Sequence, residues 1–232
     1  MLASSELRYA LPGFSERWTI SEEPVPESAW HYECLELLKA LLVAWVNRSG
    51  RGAYVYRNLA LRVRADLPNV GFDPDLMLVE PAPPERGRLD SLLLWRSDHH
   101  PPKLVVEVVS PNHPHKDYAE IPEKCAVAGV AEVVVFDPTL AGSRTGAGPH
   151  LLQQWLRQSD GSFVRSHAGS AAVHSPLLDA WWQPARERRH LSVSDDAPGR
   201  NAWLTGEQSE RVEKETALRR IAALEAELAR SR

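Results

Sequence analysis

The segment Leu104-Val105-Val106-Glu107-Val108-Val109 constrains the fold of this chain more than any other segment. Its nearly continuous run of β-branched residues is typical of a central strand that is buried on both faces. One residue departs from this pattern, the carboxylate Glu107. A buried carboxylate without a partner is costly, so it is usually paired, protonated or bound to a metal. The strand therefore predicts a layered core with a polar site inside it.

The sequence around this strand predicts an α/β fold. A helix is predicted over residues 28–47, because apolar side chains recur there at three- and four-residue spacing: Tyr32, Leu35, Leu38, Leu42 and Val46. Further strands are predicted from short apolar runs at residues 53–56, 59–63, 76–79 and 133–136, and a hairpin at 151–156 and 162–165. A second helix is predicted at residues 117–128. A strand, a short helix and a strand in succession favour an α/β core.

The chain divides into four segments by composition. These are an irregular arm at residues 1–27, a globular domain at 28–183, a charged linker at 184–206 and a C-terminal helix at 207–232. In the last segment, the four-three-four spacing of a coiled-coil seam links Ala217, Ile221, Leu224 and Leu228. This spacing predicts either a homodimer that assembles through the helix or a single amphipathic helix.

Bulk composition argues against some classes of protein. No apolar run approaches the ~18–20 residues that a membrane-spanning helix needs. Two cysteines, Cys34 and Cys125, cannot build a disulfide framework, and their apolar contexts predict free core thiols in a cytoplasmic protein. The net charge of −4 does not suit a protein that coats nucleic acid by charge alone. A nuclease is compatible with it, because such a site needs acidic metal ligands.

Three residues are predicted to converge on one site. Asp75 opens a strand after a proline, Glu107 interrupts the central strand, and Lys124 lies on the helix that follows. Two carboxylates from neighbouring strands can hold Mg²⁺ or Mn²⁺, which polarises a phosphate and acidifies water. A lysine ammonium can stabilise the developing negative charge, and the backbone carbonyl of Val108 can add a metal ligand. The alternatives for Glu107 are a structural salt bridge or a strand that is half-exposed at that point.

Other polar residues are weaker candidates for contact with a substrate. His31 lies on the first predicted helix, where it is either a functional group or an ordinary surface residue. Lys116 belongs to a polar cluster just after the central strand, which can contact phosphate or cap the next helix. Trp181 and Trp182 can stack on bases, although packing in the core is the simpler interpretation.

Four segments resemble the Uma-type family of "putative restriction endonucleases", which belongs to the PD-(D/E)XK nuclease superfamily. They are Pro74–Val79, Pro101–Asn112, Lys116–Tyr118 and Ala128–Pro138. The resemblance covers about residues 28 to 180. It implies a mixed four-stranded sheet flanked by helices, with Asp75 and Glu107 at the two metal-binding carboxylate positions.

The position of the lysine departs from the family pattern. The resemblance implies a lysine two residues after the glutamate, where this chain has Val109, or on the following helix, where it has Ile121. Lys124 lies three residues beyond Ile121, which is about one helical turn. Its amine is therefore expected on a similar face of the helix.

These observations lead to three functional hypotheses. The first is a Mg²⁺- or Mn²⁺-dependent endonuclease that cleaves DNA. The second is a nuclease fold that has lost catalysis and binds nucleic acid or protein, which the residues at Val109 and Ile121 favour. The third is a purely structural interaction protein in which Glu107 serves as a salt-bridge partner.

Overall fold

The computed structural model describes residues 8–9, 14–15, 18, 28–110, 118, 120–142, 148–185, 187 and 189–230. The described helices are α1 (Ala29–Ser49), α2 (Ile121–Ala128) and α3 (Gly206–Arg230). The described strands are β1 (Arg8–Tyr9), β2 (Tyr54–Arg57), β3 (Ala60–Arg62), β4 (Gly71–Phe72), β5 (Leu76–Val79), β6 (Ser91–Leu93), β7 (Leu104–Val108), β8 (Glu132–Phe136), β9 (Leu152–Arg157), β10 (Phe163–Gly169), β11 (Val173–Ser175), β12 (Ala180–Ala185) and β13 (His190–Ser194).

A seven-stranded mixed sheet forms the centre of the molecule, in the order β1-β10-β9-β8-β7-β5-β2. Strands β7 and β8 are parallel, and the other neighbouring pairs are antiparallel. The parallel pair is joined through α2, as a parallel connection requires a crossover. Two three-stranded sheets, β11-β12-β13 and β4-β3-β6, complete the architecture. The predicted mixed sheet flanked by helices, with a helix at the C-terminus, is confirmed.

The central sheet is covered on both faces. Along β7, Leu104, Val106 and Val108 pack in a core that includes α1 and the β11-β12-β13 sheet. Val105 packs in a second core that includes α2. Because side chains alternate along a strand, Glu107 lies on the same face as Val105, the face that α2 covers.

Helix α1 buries the stripe of apolar residues that faces the sheet. This stripe comprises Cys34, Leu35, Leu38, Leu41, Leu42 and Trp45. The prediction that Tyr32 belongs to the stripe is wrong, because its side chain is 51% exposed. His31 is buried in its place, four residues before Leu35. Gly50, in the left-handed conformation, ends the helix.

Helix α2 is described from Ile121, and Tyr118 and Glu120, which lie inside the predicted helix of residues 117–128, have π-helical conformation just before it. Residues 117 and 119 lie outside the described residues. Pro122 occupies the first turn of α2, where a missing N–H costs no helical hydrogen bond. Gly129 caps its C-terminus as predicted, with φ of 84°. Lys116 and Asp117 lie outside the described residues, so the predicted roles of both stay predictions.

Two segments predicted to be irregular contain strands. Residues 190–194, inside the predicted linker, form β13 and pair with β12. Leu191 and Val193 are fully buried in the core beside α1, which explains why this charged segment is ordered as a strand. Within the predicted N-terminal arm, β1 pairs with β10 at the edge of the central sheet.

Helix α3 confirms the predicted C-terminal helix. It starts with a capping box, in which the Thr205 N–H donates to Gln208 Oε1 at 2.9 Å and the Gln208 N–H donates to Thr205 Oγ1 at 3.2 Å. Within the described part of the chain, no helix is long and apolar enough to span a membrane.

Candidate active site

The register of two antiparallel strands places Asp75 opposite Glu107. Leu76 of β5 pairs with Val106 of β7, so the next residues outward on each strand are Asp75 and Glu107. Residues directly opposite in an antiparallel pair have Cβ atoms roughly 4.5–5.5 Å apart. The two carboxylates that the sequence singles out, 32 positions apart, are therefore neighbours in the fold.

Each carboxylate is held by a backbone N–H from the other strand. The Asp75 N–H donates to Glu107 Oε1 at 3.2 Å, and the Val108 N–H donates to Asp75 Oδ2 at 2.8 Å. Glu107 is fully buried, whereas the Asp75 side chain remains 15% exposed. The pair thus lies at the boundary between the core and the surface, with one member facing outward.

His31 of α1 reaches the same point from the other side. Its Nε2 lies 2.8 Å from the Val108 carbonyl oxygen and 3.4 Å from Asp75 Oδ2. A carbonyl oxygen can only accept, so Nε2 carries the hydrogen in this contact and donates it. Sequence reasoning assigned His31 only a weak substrate-binding role, whereas the structure places it against two predicted metal-site groups.

The donor set at this point fits a hard divalent cation. Asp75 and Glu107 supply carboxylate oxygens, and Val108, the residue after Glu107, supplies a carbonyl oxygen that contacts the same His31 ring nitrogen as Asp75. Oxygen ligands of this kind suit Mg²⁺ or Mn²⁺. The hydrogen bond from His31 uses one lone pair of the Val108 carbonyl, so the second lone pair remains for a ligand role.

The predicted lysine is turned toward a different carboxylate. Lys124 Nζ donates to Glu120 Oε2 at 2.9 Å and lies 6.0 Å from the centroid of the Trp18 ring. Among the described residues, no hydrogen bond or ion pair joins Lys124 to Asp75 or Glu107. Val109 and Ile121, the two other positions where the family pattern implies a lysine, are fully buried in the second core.

An arginine that the sequence analysis did not single out, Arg57, lies on β2 next to the strand that follows Asp75. Arg57 pairs with Leu76, the residue after Asp75, and its guanidinium donates to Glu36 Oε1 at 2.6 Å. The guanidinium also stacks 4.4 Å from the centroid of the exposed Tyr32 ring. The following residue, Asn58, donates its N–H to the Asp75 carbonyl at 3.2 Å. The sequence of β2 does not indicate where Arg57 lies, because the position of Arg57 depends on the pairing of β2 with β5.

The two cysteines are not candidates for chemistry. Both are free and buried, as predicted. Burial raises the pKa of the Cys34 thiol to about 11, with the nearby Asp75 charge adding to the effect. Burial also raises the pKa of Cys125 well above its usual value, and the Glu107 charge acts in the same direction. These thiols remain protonated and unreactive at neutral pH.

A second polar cluster lies away from the carboxylate pair. Glu85, Asp98 and His99 have ligand atoms within 4.8 Å of one another. Arg96 already donates to both carboxylates at 2.8 Å, and His99 Nδ1 accepts the Leu93 N–H at 2.8 Å. Because Nδ1 accepts, the hydrogen of the neutral ring is on Nε2, which cannot then ligate a metal. This cluster is an ion-pair network.

The fold also contains a buried carboxylate with a purely structural arrangement. Glu132 accepts hydrogen bonds from Ser175 Oγ at 2.7 Å, Gln154 Nε2 at 3.0 Å and Trp182 Nε1 at 3.2 Å. Burial raises the pKa of Glu132, and these donors lower it in part. Trp182 is therefore a core residue and does not stack on bases, as its full burial confirms.

Comparison with known proteins places the chain in a family. The sequence profile of Uma2, described as "Putative restriction endonuclease", matches residues 10–168, which is more than half of the chain. The chain belongs to the Uma2 family. The resemblance seen in the sequence is thus confirmed, and this Uma2 protein is nuclease-like.

One solved structure and the curated proteins complete the comparison. The crystal structure of a putative nuclease belonging to DUF820 from Anabaena variabilis ATCC 29413 is similar to the Uma2 protein at 15% sequence identity and a TM-score of 0.45. The similarity covers 67% of this chain and 76% of that one. No curated protein matches the chain.

Proposed function

We propose that this Uma2 protein is a divalent-metal-dependent endonuclease that hydrolyses DNA phosphodiester bonds. In this proposal, Asp75, Glu107 and the backbone carbonyl of Val108 hold Mg²⁺ or Mn²⁺. The observation that carries the proposal is the cross-strand pair of carboxylates, in which each is oriented by a backbone N–H of the other strand. Two like charges side by side are unfavourable unless a cation or a proton offsets them.

The residues around the pair have distinct proposed roles. Hydrogen bonds from the two strands fix the carboxylate oxygens, and His31 fixes the Val108 carbonyl by donating to it. A divalent cation bound there supplies polarisation of the phosphate and an acidified water. Lys124 stabilises negative charge on the phosphate, for which its ammonium must leave Glu120. Lys116 remains a predicted DNA contact outside the described residues.

A second candidate function has a specific observation in its favour. Val109 and Ile121 are buried apolar residues at the two positions where the family pattern implies a lysine, and Lys124 bonds to Glu120. A protein with this arrangement can retain metal and nucleic-acid binding while turning over slowly or not at all. Such a protein is a binding module with a nuclease fold.

The test combines metal binding with cleavage. Calorimetric titration with Mn²⁺ and a plasmid-nicking assay are carried out on the wild type, Asp75→Asn and Glu107→Gln. We expect both substitutions to abolish Mn²⁺ binding and nicking. The control is Asp98→Asn, which removes a carboxylate from the other polar cluster and should leave both measurements unchanged.

The outcomes separate the hypotheses. Mn²⁺ binding that is unchanged in Asp75→Asn and Glu107→Gln contradicts the proposed metal site. Wild-type protein that binds Mn²⁺ at these residues but cleaves neither DNA nor RNA supports the binding module. Cleavage of RNA alone keeps the metal site and replaces DNA as the substrate.

We also propose that the protein acts in the cytoplasm, which its two buried free thiols support. Fractionation of cells that express the full chain tests this location, and recovery in the membrane or secreted fraction contradicts it.

A further inference from the structure

The C-terminal helix α3 leaves a row of large apolar side chains uncovered. Among its 25 described residues, Gly206 to Arg230, none is buried. Ile221 and Leu224 are 51% and 52% exposed, and Leu228 is 63% exposed. Burying an exposed leucine or isoleucine contributes roughly 1.5–3 kcal/mol. The described residues of a single copy do not provide this stabilisation.

The exposed residues occupy one seam of a heptad repeat. If Ile221 and Leu228 are assigned to position a, then Ala217 and Leu224 fall at position d. Leu218, which is 56% exposed, falls at the adjoining position e and widens the seam. On the opposite side, Arg219 and Glu215 form an ion pair across one helical turn at 3.7 Å. The helix therefore has an apolar side and a solvated side.

The charged residues beside the seam indicate which partner covers it. In a parallel, in-register pair of identical helices, position g of one chain lies beside position e of the next heptad in the other chain. Arg220 at g then lies beside Glu225 at e of the second copy. Lys214 at position a likewise lies beside Glu213 at g of the second copy. Both contacts join opposite charges, although the same register brings Lys214 at position a and Glu210 at position d beside their own copies. The complementary Arg220–Glu225 contact flanks the apolar part of the seam, from Ala217 to Leu228, so that part of the surface complements itself.

We propose that α3 pairs with α3 of a second copy of this chain as a parallel, in-register, two-stranded coiled coil. A single lysine at position a, here Lys214, is known to specify register and oligomeric state. The capping box formed by Thr205 and Gln208 fixes the start of the helix before it pairs, which lowers the ordering cost of association. The proposal is independent of the nuclease assignment.

Sedimentation equilibrium of the full chain tests the association. We expect a dimer mass that falls toward the monomer on dilution over about 1–100 µM. Ile221→Glu, which places a charge at position a, should weaken the dimer by at least about tenfold. Val212→Glu is the matched control, because Val212 is also β-branched and 44% exposed but falls at the outward position f. Monomer at every concentration, or equal weakening by both variants, overturns the proposal.

Cross-linking tests the orientation without disturbing the charges. Leu224→Cys places a thiol at position d, where the same residue of both copies meets only in a parallel, in-register pair. We expect rapid disulfide-linked dimer under mild oxidation, and none from Ala226→Cys at position f. The native Cys34 and Cys125 are buried and do not interfere. Failure of Leu224→Cys to cross-link in a protein that sediments as a dimer contradicts the parallel register.

Charge exchange provides a second check on the pairing. Arg220→Glu places like charges opposite Glu225 and should weaken the dimer, whereas Arg220→Glu combined with Glu225→Arg should restore it. An antiparallel or unrelated interface has no reason to follow this pattern, so failure of the double variant to recover overturns the parallel pairing.

Discussion

Removing one charge from the carboxylate pair should stabilise the metal-free protein. The change is Asp75→Asn, which keeps an oxygen that can accept the Val108 N–H at 2.8 Å. With both carboxylates ionised, the main electrostatic change is the loss of the repulsion between Asp75 and Glu107. A side chain selected for metal binding is therefore expected to cost stability when no metal is present.

The magnitude follows from the strand register. Opposite residues have Cβ atoms about 5 Å apart, and two ionised carboxylates at about that separation repel by about 3 kcal/mol at an effective dielectric constant near 20. Exchanging a charge-assisted hydrogen bond for a neutral one costs about 1 kcal/mol. Contact of Asp75 with solvent weakens the repulsion, which leaves a net gain of about 1–2 kcal/mol. For a chain of this size the melting temperature should rise by roughly 2–8 °C.

Thermal unfolding with and without Mn²⁺ measures this effect. The wild type should gain about 2.7 kcal/mol at a Mn²⁺ concentration 100 times Kd, and Asp75→Asn should gain nothing. The reasoning is refuted if Asp75→Asn lowers the metal-free stability or keeps the Mn²⁺ gain.

The control is another buried carboxylate, Asp137, whose two oxygens accept hydrogen bonds from four donors. Asp137→Asn turns an amide toward these donors and should destabilise the protein by about 2–4 kcal/mol. Equal effects of Asp75→Asn and Asp137→Asn would mean that Asp75 is only a structural acceptor.

Three further predictions concern single side chains. Lys124→Met should lower the rate of plasmid nicking by about 100-fold and leave Mn²⁺ binding intact. The control variant, Lys39→Met on α1, should change neither measurement. If the wild type and Lys124→Met nick equally fast, this lysine has no part in the reaction. Burial raises the pKa of Glu132, so its contribution to stability is largest below pH 4.5 and is lost as pH rises through the raised value. Urea unfolding from pH 4.5 to 8 should show the wild type losing stability relative to Glu132→Gln, and a constant difference contradicts the shift. Cys34 and Cys125 should react with a thiol reagent at neutral pH only after unfolding, because both are buried; stoichiometric labelling of the native protein would show that either one is accessible.

The sequence predicts the carboxylates and the strands that carry them because their signals are local. The continuous apolar run around Glu107 identifies β7, and the Pro74-Asp75 pair marks the start of β5. Short strands escape prediction for the opposite reason. The burial of β13 depends on Leu191 and Val193 packing beside α1, which no local pattern in a charged segment indicates.

His31 illustrates a signal that was present in the sequence but was assigned to its neighbour. The buried stripe of α1 continues backward from Leu38 and Leu35 by four residues to His31, whereas the predicted stripe used Tyr32. With the helix turned by that one residue, Tyr32 lies against Arg57 at the surface and His31 faces the sheet. The sequence alone does not show which of the two neighbours faces the sheet at the start of the helix. An exposed Tyr32 and a buried His31 both depart from the hydrophobic pattern, and to the same degree.

The structure also shows which interactions hold the candidate site together. The backbone N–H groups of Asp75 and Val108 donate to the Glu107 and Asp75 carboxylates, so strand register and these two hydrogen bonds together fix the carboxylate positions. His31 contacts the Val108 carbonyl from α1 and therefore couples the helix to that register. Lys124 is attached to the site by no such contact, since its described hydrogen bond runs to Glu120 on its own helical segment. If the proposed function is right, we therefore expect metal binding to survive substitutions on α2, whereas the proposed role of Lys124 requires its side chain to move toward the carboxylates.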